Sequence, residues 1–283
     1  MSKAILDIVD MKATRVFAVG DIHGCYSELL ALEKKIRNQI RRSNFHSLKI
    51  ISVGDLCDRG PNTNAVIAHF AAGKAAGTHE LILGNHETFF ILAFWGLRQD
   101  LVMKAGIKPS WYLEILFRIF RMQTSSIHAW RQNGGRSVFE SYGADIDDVD
   151  TWDKVPLDHL KLLFEAPLVV RTPKAIISHA LMHLGDFEIL EALDQGLAVD
   201  DKLAEAAVIR CLWERQLADC KLLAGKRHVS GHTPLERVER NLLLGTIQID
   251  TGAVYGGSLT ALDIKTFRAT QVKSTYSCRS NAG

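Results

Sequence analysis

Five short apolar runs, RVFAV (15–19), KIISV (49–53), ELIL (80–83), KAII (174–177) and KRHV (226–229), each stop at a glycine or serine. Runs of this length, rich in β-branched residues and closed by such a stop, read as buried strands giving way to loops. Between the first three, SELLALEKKIRNQI (27–40) has helical amphipathic spacing with Ser27 as a candidate cap, and NTNAVIAHFAAGKAAG (62–77) reads as a second helix ending in glycine. Strand alternating with helix predicts a βαβαβ half with parallel strands, hence an α/β fold. From about residue 88 to about residue 166 the spacing becomes helical throughout and rich in Trp and Phe, as in TFFILAFWGL, PSWYLEILFRIFRM and SSIHAWRQNGGRSVFESYG. This stretch reads as a helical insert beside the site mouth, with Pro109 at a helix start, Asn133-Gly134-Gly135 as a break and the aromatic stripe as core. Strands return at 174–178, 227–230, 246–250 and 258–264 and are expected to form a second sheet within one domain spanning 1–283. The small polar residues at about 274–283 read as a loose tail.

The polar residues that follow the apolar runs carry the chemistry: GDIHG (20–24), GDLCDRG (54–60), GNHE (84–87), SHA (178–180) and SGHT (230–233). Ligands of open α/β sheets bind beyond the carboxyl ends of the strands, so five such ends can bring distant residues together. Asp21, His23, Asp55, Asn85, His179 and His232 then offer carboxylate, imidazole and amide donors. The absence of thiolate suits Mn, Fe or Zn with open water positions rather than a structural zinc site. A carboxylate such as Asp55 can bridge two divalent cations about 3.5–4 Å apart, and such a pair can present hydroxide to phosphorus at neutral pH.

Taken in order, GDIHG, GDLCDRG, GNHE, SHA and SGHT resemble the phosphoprotein phosphatase family of metallophosphoesterases. LWER (212–215), GHTP (231–234) and IDTGAVYGGSLTALDI (249–264) resemble its bacterial branch, which includes the phosphatase of bacteriophage lambda. The resemblance spans roughly 15–264 apart from a divergent middle, and it implies an αββα sandwich of two mixed sheets flanked by helices, with two metals at the sheet edges. It further implies that Asp21, His23 and Asp55 hold the first metal and Asp55, Asn85, His179 and His232 the second. His86 would be the general acid, oriented by Asp58, with Arg59 and Arg215 clamping phosphate oxygens. Those roles are physically apt: a carboxylate keeps an imidazole proton in place, and a guanidinium fork stays charged and engages two oxygens.

Two departures bear on the substrate. Leu83 stands where the family often has Arg, and the same LGNH form occurs in related hydrolases of diadenosine tetraphosphate, although those tend to lack the second Asp of GDxxDRG, which is Asp58 here. Leu181 stands where relatives often have Gly after His-Ala. The expected activity is a dinuclear phosphomonoesterase, manganese favoured, acting on phosphoserine or phosphothreonine by direct in-line attack. The alternatives are a dinucleoside polyphosphate hydrolase and, in another class, a non-catalytic phosphate-binding module.

Composition narrows the partners. A chain of 283 residues with 47% hydrophobic content can bury a large core, and a formal charge of +2 without a long basic run does not indicate nucleic acid. The longest apolar stretch, FFILAFWGL (89–97), falls well short of the roughly 18 residues of a membrane span, and Asp7 and Asp10 interrupt the start of the chain, against a signal peptide. Cys25, Cys57, Cys211, Cys220 and Cys278 show no paired spacing, which fits a reducing, cytoplasmic setting with a phosphoprotein or small phosphate ester as partner. Cys25, directly after the first polar motif, and Cys57, within the second, read as small buried filler. His183 follows His179 at helical spacing, but His179 ends a strand, so an ordinary loop histidine is expected.

Overall fold

Alternation in the second strand shows how the layers form. Of TRVFAV, Val16 and Ala18 join a cluster with Ile51, Val53, Ile177, Val229 and Ile249, whereas Phe17 and Val19 pack into the helix-facing core. Successive side chains of a strand point to opposite faces, so a strand apolar on both must be covered twice. The computed structural model, which describes residues 3–41, 47–120, 124–216 and 225–278, has that arrangement: two mixed sheets face each other across the first cluster, with helices outside. The fold is an αββα sandwich.

The strands are β1 (Ile5–Asp7), β2 (Thr14–Val19), β3 (Ser47–Ser52), β4 (His79–Leu81), β5 (Val169–Arg171), β6 (Ala175–Ser178), β7 (Arg227–Ser230), β8 (Glu239–Asn241), β9 (Thr246–Gln248), β10 (Ser258–Asp263) and β11 (Ala269–Lys273). One sheet has the order β11-β10-β2-β3-β4, the other β1-β5-β6-β7-β9-β8. The three strands that precede the first three motifs run parallel, β2 beside β3 beside β4. In the other sheet β6, β7 and β9 are parallel. All five motif-bearing strands thus end on the side where their loops meet.

Three expectations are corrected. Residues 258–264 do not enter the second sheet: β10 pairs antiparallel with β2, Ala261 opposite Val19, and carries β11 with it. The first long helix, α1 (Tyr26–Ile40), is preceded by Cys25, so Ser27 lies inside its first turn, where its hydroxyl donates to Glu28 at 2.7 Å instead of capping. The C-terminal segment is not loose from residue 274 onward. Glu28 accepts from Thr275 N at 3.0 Å and from its hydroxyl at 2.9 Å, and the Tyr276 hydroxyl donates to Arg59 O at 3.0 Å. Residues 279–283 lie outside the described part, as does Cys220.

Helices α2 (Thr63–Ala75), α3 (Asn85–Leu97), α4 (Gln99–Lys104), α5 (Trp111–Ile119), α6 (Thr124–Trp130), α7 (Arg136–Ser141) and α8 (Leu157–Phe164) occupy the middle of the chain, and α9 (Leu184–Asp194) and α10 (Asp201–Trp213) follow β6. The aromatic stripe of the middle region is core. Phe90, Phe94, Trp130, Phe139 and Trp152 are fully buried and mutually packed, Phe90 stacking on Phe94 with centroids 4.8 Å apart. Away from the motifs, Glu33 accepts from His69 at 2.6 Å and from His79 at 3.0 Å, a hydrogen-bonded knot joining α1 to α2 and β4. No helix among the described residues is long and apolar enough to cross a membrane.

Candidate active site

The loops after β2, β3, β4, β6 and β7 converge and are laced by backbone bonds: Ile22 N and His23 N donate to Asp55 O at 3.0 and 2.8 Å, and Gly231 N to His179 O at 2.8 Å. Tight turns at strand ends force unusual backbone. Six described non-glycine residues have left-handed φ, and five are His23, Asp55, Asp58, Arg59 and His232. Such conformations cost on the order of 1–3 kcal/mol each and persist only where surrounding contacts impose them. Concentrated in three motifs, they aim side chains that an extended backbone would turn away.

Glu87, which sequence reasoning quoted within GNHE but gave no role, does much of the imposing. Fully buried in the first turn of α3, it accepts from Asp55 N at 2.7 Å, Leu56 N at 2.8 Å, Cys57 N at 3.2 Å and Gly84 N at 3.0 Å. One carboxylate thereby satisfies four backbone donors and joins the second loop to the third. Burial, with the charge of Asp55 adding to it, pushes Glu87 up to about 7. Gly84 leaves no room for a side chain: a Cβ there would meet Asp55 N at 2.5 Å and press on the Asp55 carboxylate. Gly84→Ala should therefore displace Asp55 and destabilise the fold by roughly 1–3 kcal/mol. Denaturant titration with metal analysis checks this, and a variant with unchanged midpoint and metal content would refute the fit.

Asp55 is the shared member of two ligand-capable groups, His23–Asp55–His86 and Asp55–His179–His232, whose donor atoms lie within 4.8 Å of one another in each group. Its Oδ2 lies 3.4 Å from His23 Nε2, and its Oδ1 lies 3.5 Å from His179 Nε2. Asn85 Oδ1 lies 2.9 Å from His179 Nε2 and 3.1 Å from His232 Nδ1. Asp21 lies behind this set, accepting from His232 N at 3.1 Å. The structure thus brings all six residues together, with His86 rather than Asp21 completing the first ligand-capable group.

The protonation pattern tests whether cations fit. His23 Nδ1 donates to Cys57 O at 2.6 Å and His179 Nδ1 to Val53 O at 2.9 Å, so in both rings Nε2 turns a lone pair into the site. Burial pushes His179 and His232 down to about 3 and His23 well below its usual range, keeping all three neutral. His179 Nε2, Asn85 Oδ1 and Asp55 Oδ1 are then acceptors facing acceptors, and the buried His232 Nε2 has no hydrogen-bond partner among the described residues. Burial, then the charges of Asp250 and Asp55, also push the Asp21 carboxyl well up. Lone pairs and carboxylates gathered out of water call for positive charge, so the residues fit two divalent cations.

Beside this set, His86 Nδ1 bonds the Asp58 carboxylate, and Trp130 Nε1 lies 3.0 Å from each Asp58 oxygen. Burial pushes His86 down to about 4 against the opposing charge of Asp55, and pushes the Asp58 carboxyl up. Arg59 bonds His23 Nε2, and its guanidinium lies 5.5 Å from the Tyr255 ring centroid. A cavity of about 450 Å³ opens over these groups, lined by Arg59, Arg215, His86 and Asn85 and by the aromatic rings of Phe89, Trp213 and Tyr255. Leu83 is fully buried in the helix-facing core, so no guanidinium reaches the cavity from that position. Leu181 is also buried, and His183 is the cap residue that precedes α9, its backbone N–H donating to Asp186 at 3.2 Å. Cys25 and Cys57 are buried free thiols. Burial pushes Cys25 up to about 12 and Cys57 well above its usual range, against ready reactivity.

The sequence profile of the calcineurin-like phosphoesterases matches residues 14–236. The chain is 26% identical, over 91% of its own length and 93% of the relative's, to the asymmetrical bis(5'-nucleosyl)-tetraphosphatase PrpE of Anoxybacillus flavithermus. Among solved structures it is similar in fold to a candidate diadenosine tetraphosphatase, with TM-score 0.55, 19% identity and 97% and 99% of the two chains covered. It is similarly related to a protein serine/threonine phosphatase of Saccharomyces cerevisiae, with TM-score 0.54, 12% identity and 97% and 85% covered.

Proposed function

This chain belongs to the calcineurin-like phosphoesterase family, and from that premise we propose that it hydrolyses dinucleoside polyphosphates asymmetrically, releasing a nucleoside triphosphate and a monophosphate. The observation that carries the substrate choice is the wall of the cavity. Phe89, Trp213 and Tyr255 line the same cavity as the two clamp arginines, Tyr255 lying 5.5 Å from the Arg59 guanidinium, while position 83, a phosphate-contacting Arg in many protein phosphatases of the resembling family, is a buried leucine. Aromatic faces next to guanidinium suit a base attached to a phosphate chain. The full-length relatives named as tetraphosphatases support the same choice over the phosphoprotein reading.

Asp21, His23 and Asp55 would hold one divalent cation and Asp55, Asn85, His179 and His232 the other, with manganese, iron or zinc matching the donors. When bound, the pair supplies a water nucleophile activated at neutral pH and neutralises phosphate charge. The chain's own residues do the rest. Arg59 and Arg215 hold phosphate oxygens in line, and Asp58 keeps His86 turned so that Nε2 faces the leaving oxygen. A phosphate anion beside that ring favours its charged form against the burial that depresses it. Water forms the new P–O bond and loses a proton to solvent, the bridging P–O bond breaks, and charged His86 gives its Nε2 proton to the departing oxygen. The set of free buried cysteines suits a cytoplasmic, reducing setting.

His86→Asn should lower turnover about 10²–10⁴-fold with little change in metal content. Turnover within threefold of the parent would remove His86 from the mechanism. A second reading, hydrolysis of phosphoserine or phosphothreonine in proteins, is favoured by Asp58, the residue that the nucleotide hydrolases tend to lack. A phosphopeptide assayed beside diadenosine tetraphosphate separates the two, and metal-loaded protein inert on both would favour a binding module.

A further inference from the structure

We propose that Trp130 is a positioning residue of this site, holding Asp58 and, through it, the His86 ring from the far side of the helical region. The proposal rests on His86 being the proton donor. Asp58 is fully buried, and its carboxylate bonds His86 Nδ1 and the Trp130 indole N–H, which is 3.0 Å from both carboxylate oxygens. The indole, 3.0 Å from both oxygens, holds the carboxylate in place, and the imidazole takes Oδ2, so the two donors together set its orientation. An indole N–H donates only and does not titrate, so it orients the carboxylate without competing for the proton that His86 must handle.

The indole is itself clamped. Trp130 is fully buried, with Phe90 and Phe139 meeting it edge to face at centroid distances of 5.9 and 5.4 Å. Gly135 lies against its ring so closely that a Cβ there would meet Nε1 at 2.7 Å. Between Trp130 and Gly135 the chain kinks between two helices at Gly134, which has φ +100° and accepts from Arg59 N at 3.2 Å. A side chain at Gly134 would meet Arg59 N at 2.7 Å. The Asn-Gly-Gly stretch, which reads in sequence as a helix break, therefore seats Asp58 through the indole and Arg59 through its backbone in one turn.

Trp130→Phe keeps an aromatic ring against Phe90, Phe139 and Gly135 and removes the N–H. In metal-loaded protein it should lower kcat on diadenosine tetraphosphate about tenfold with KM within twofold, the scale of lost outer-sphere partners. In a His86→Asn background the same substitution should change kcat less than twofold, because effects acting through one group do not add. Equal losses in both backgrounds would make Trp130 structural only and overturn the proposal. If His86→Asn alone leaves kcat unchanged, the proton-donor reading fails, and proton NMR of the magnesium-loaded protein still decides the role of Trp130. Trp130→Phe should speed solvent exchange of the His86 Nδ1 proton about tenfold, and unchanged exchange overturns the proposal. Should Trp130→Phe not fold, the Trp130 indole proton should lose exchange protection in Asp58→Ala, and retained protection is the contrary result.

Discussion

Asp55→Asn should lower turnover about 10³-fold or more while the protein remains folded. Asn is the informative replacement because position 55 has φ +54°, a left-handed conformation that Asn tolerates better than most residues. The amide keeps an oxygen for one neighbour but cannot present two anionic oxygens to both ligand-capable groups, which share Asp55. Losing the common anion should lower binding at both cation positions, and with it the several kcal/mol of charge stabilisation that a dinuclear centre supplies. Steady-state kinetics with metal analysis measures both, and a variant within tenfold of the parent rate would end the bridging role.

Glu87→Gln should cost roughly 3 kcal/mol of stability and reduce metal content although Glu87 is not among the expected ligands. Four backbone N–H groups point at this carboxylate. An amide of the same shape turns a donor toward them, leaving at least one buried donor unpaired at about 1–3 kcal/mol and weakening the rest. The loop carrying Asp55, Asp58 and Arg59 hangs from these bonds, so its left-handed backbone should relax. Urea unfolding with metal analysis tests this, and an unchanged midpoint would mean that other contacts impose the loop.

The positions of the six expected ligands were legible because each follows an apolar run that ends a strand, and strand ends are where an α/β sheet collects its loops. Pairings made by three-residue strands were not legible: ILD, VVR and ERN carry too few residues for period-2 alternation to register. The placement of β10 beside β2 was also hidden, since both sheets accept an apolar strand and only the three-dimensional register, Ala261 opposite Val19, chooses between them. Ser274 to Tyr276 read as polar tail because their partners, Glu28 and Arg59, lie more than two hundred residues away. Trp130 read as one member of an aromatic stripe, and its single polar atom found Asp58 across 72 residues. Local chemistry is written in motifs; the groups that orient it come from contacts that no spacing records.

Substrate identity has the same origin, since Trp213 and Tyr255 are brought to one cavity from α10 and from the loop before β10. The most direct test is chromatography of the products formed when metal-loaded protein is incubated separately with diadenosine tetraphosphate and with a phosphoserine peptide. ATP and AMP in equal amounts, formed faster than phosphate from the peptide, is the expected result. Release of phosphate from the peptide with the dinucleotide left intact would contradict it.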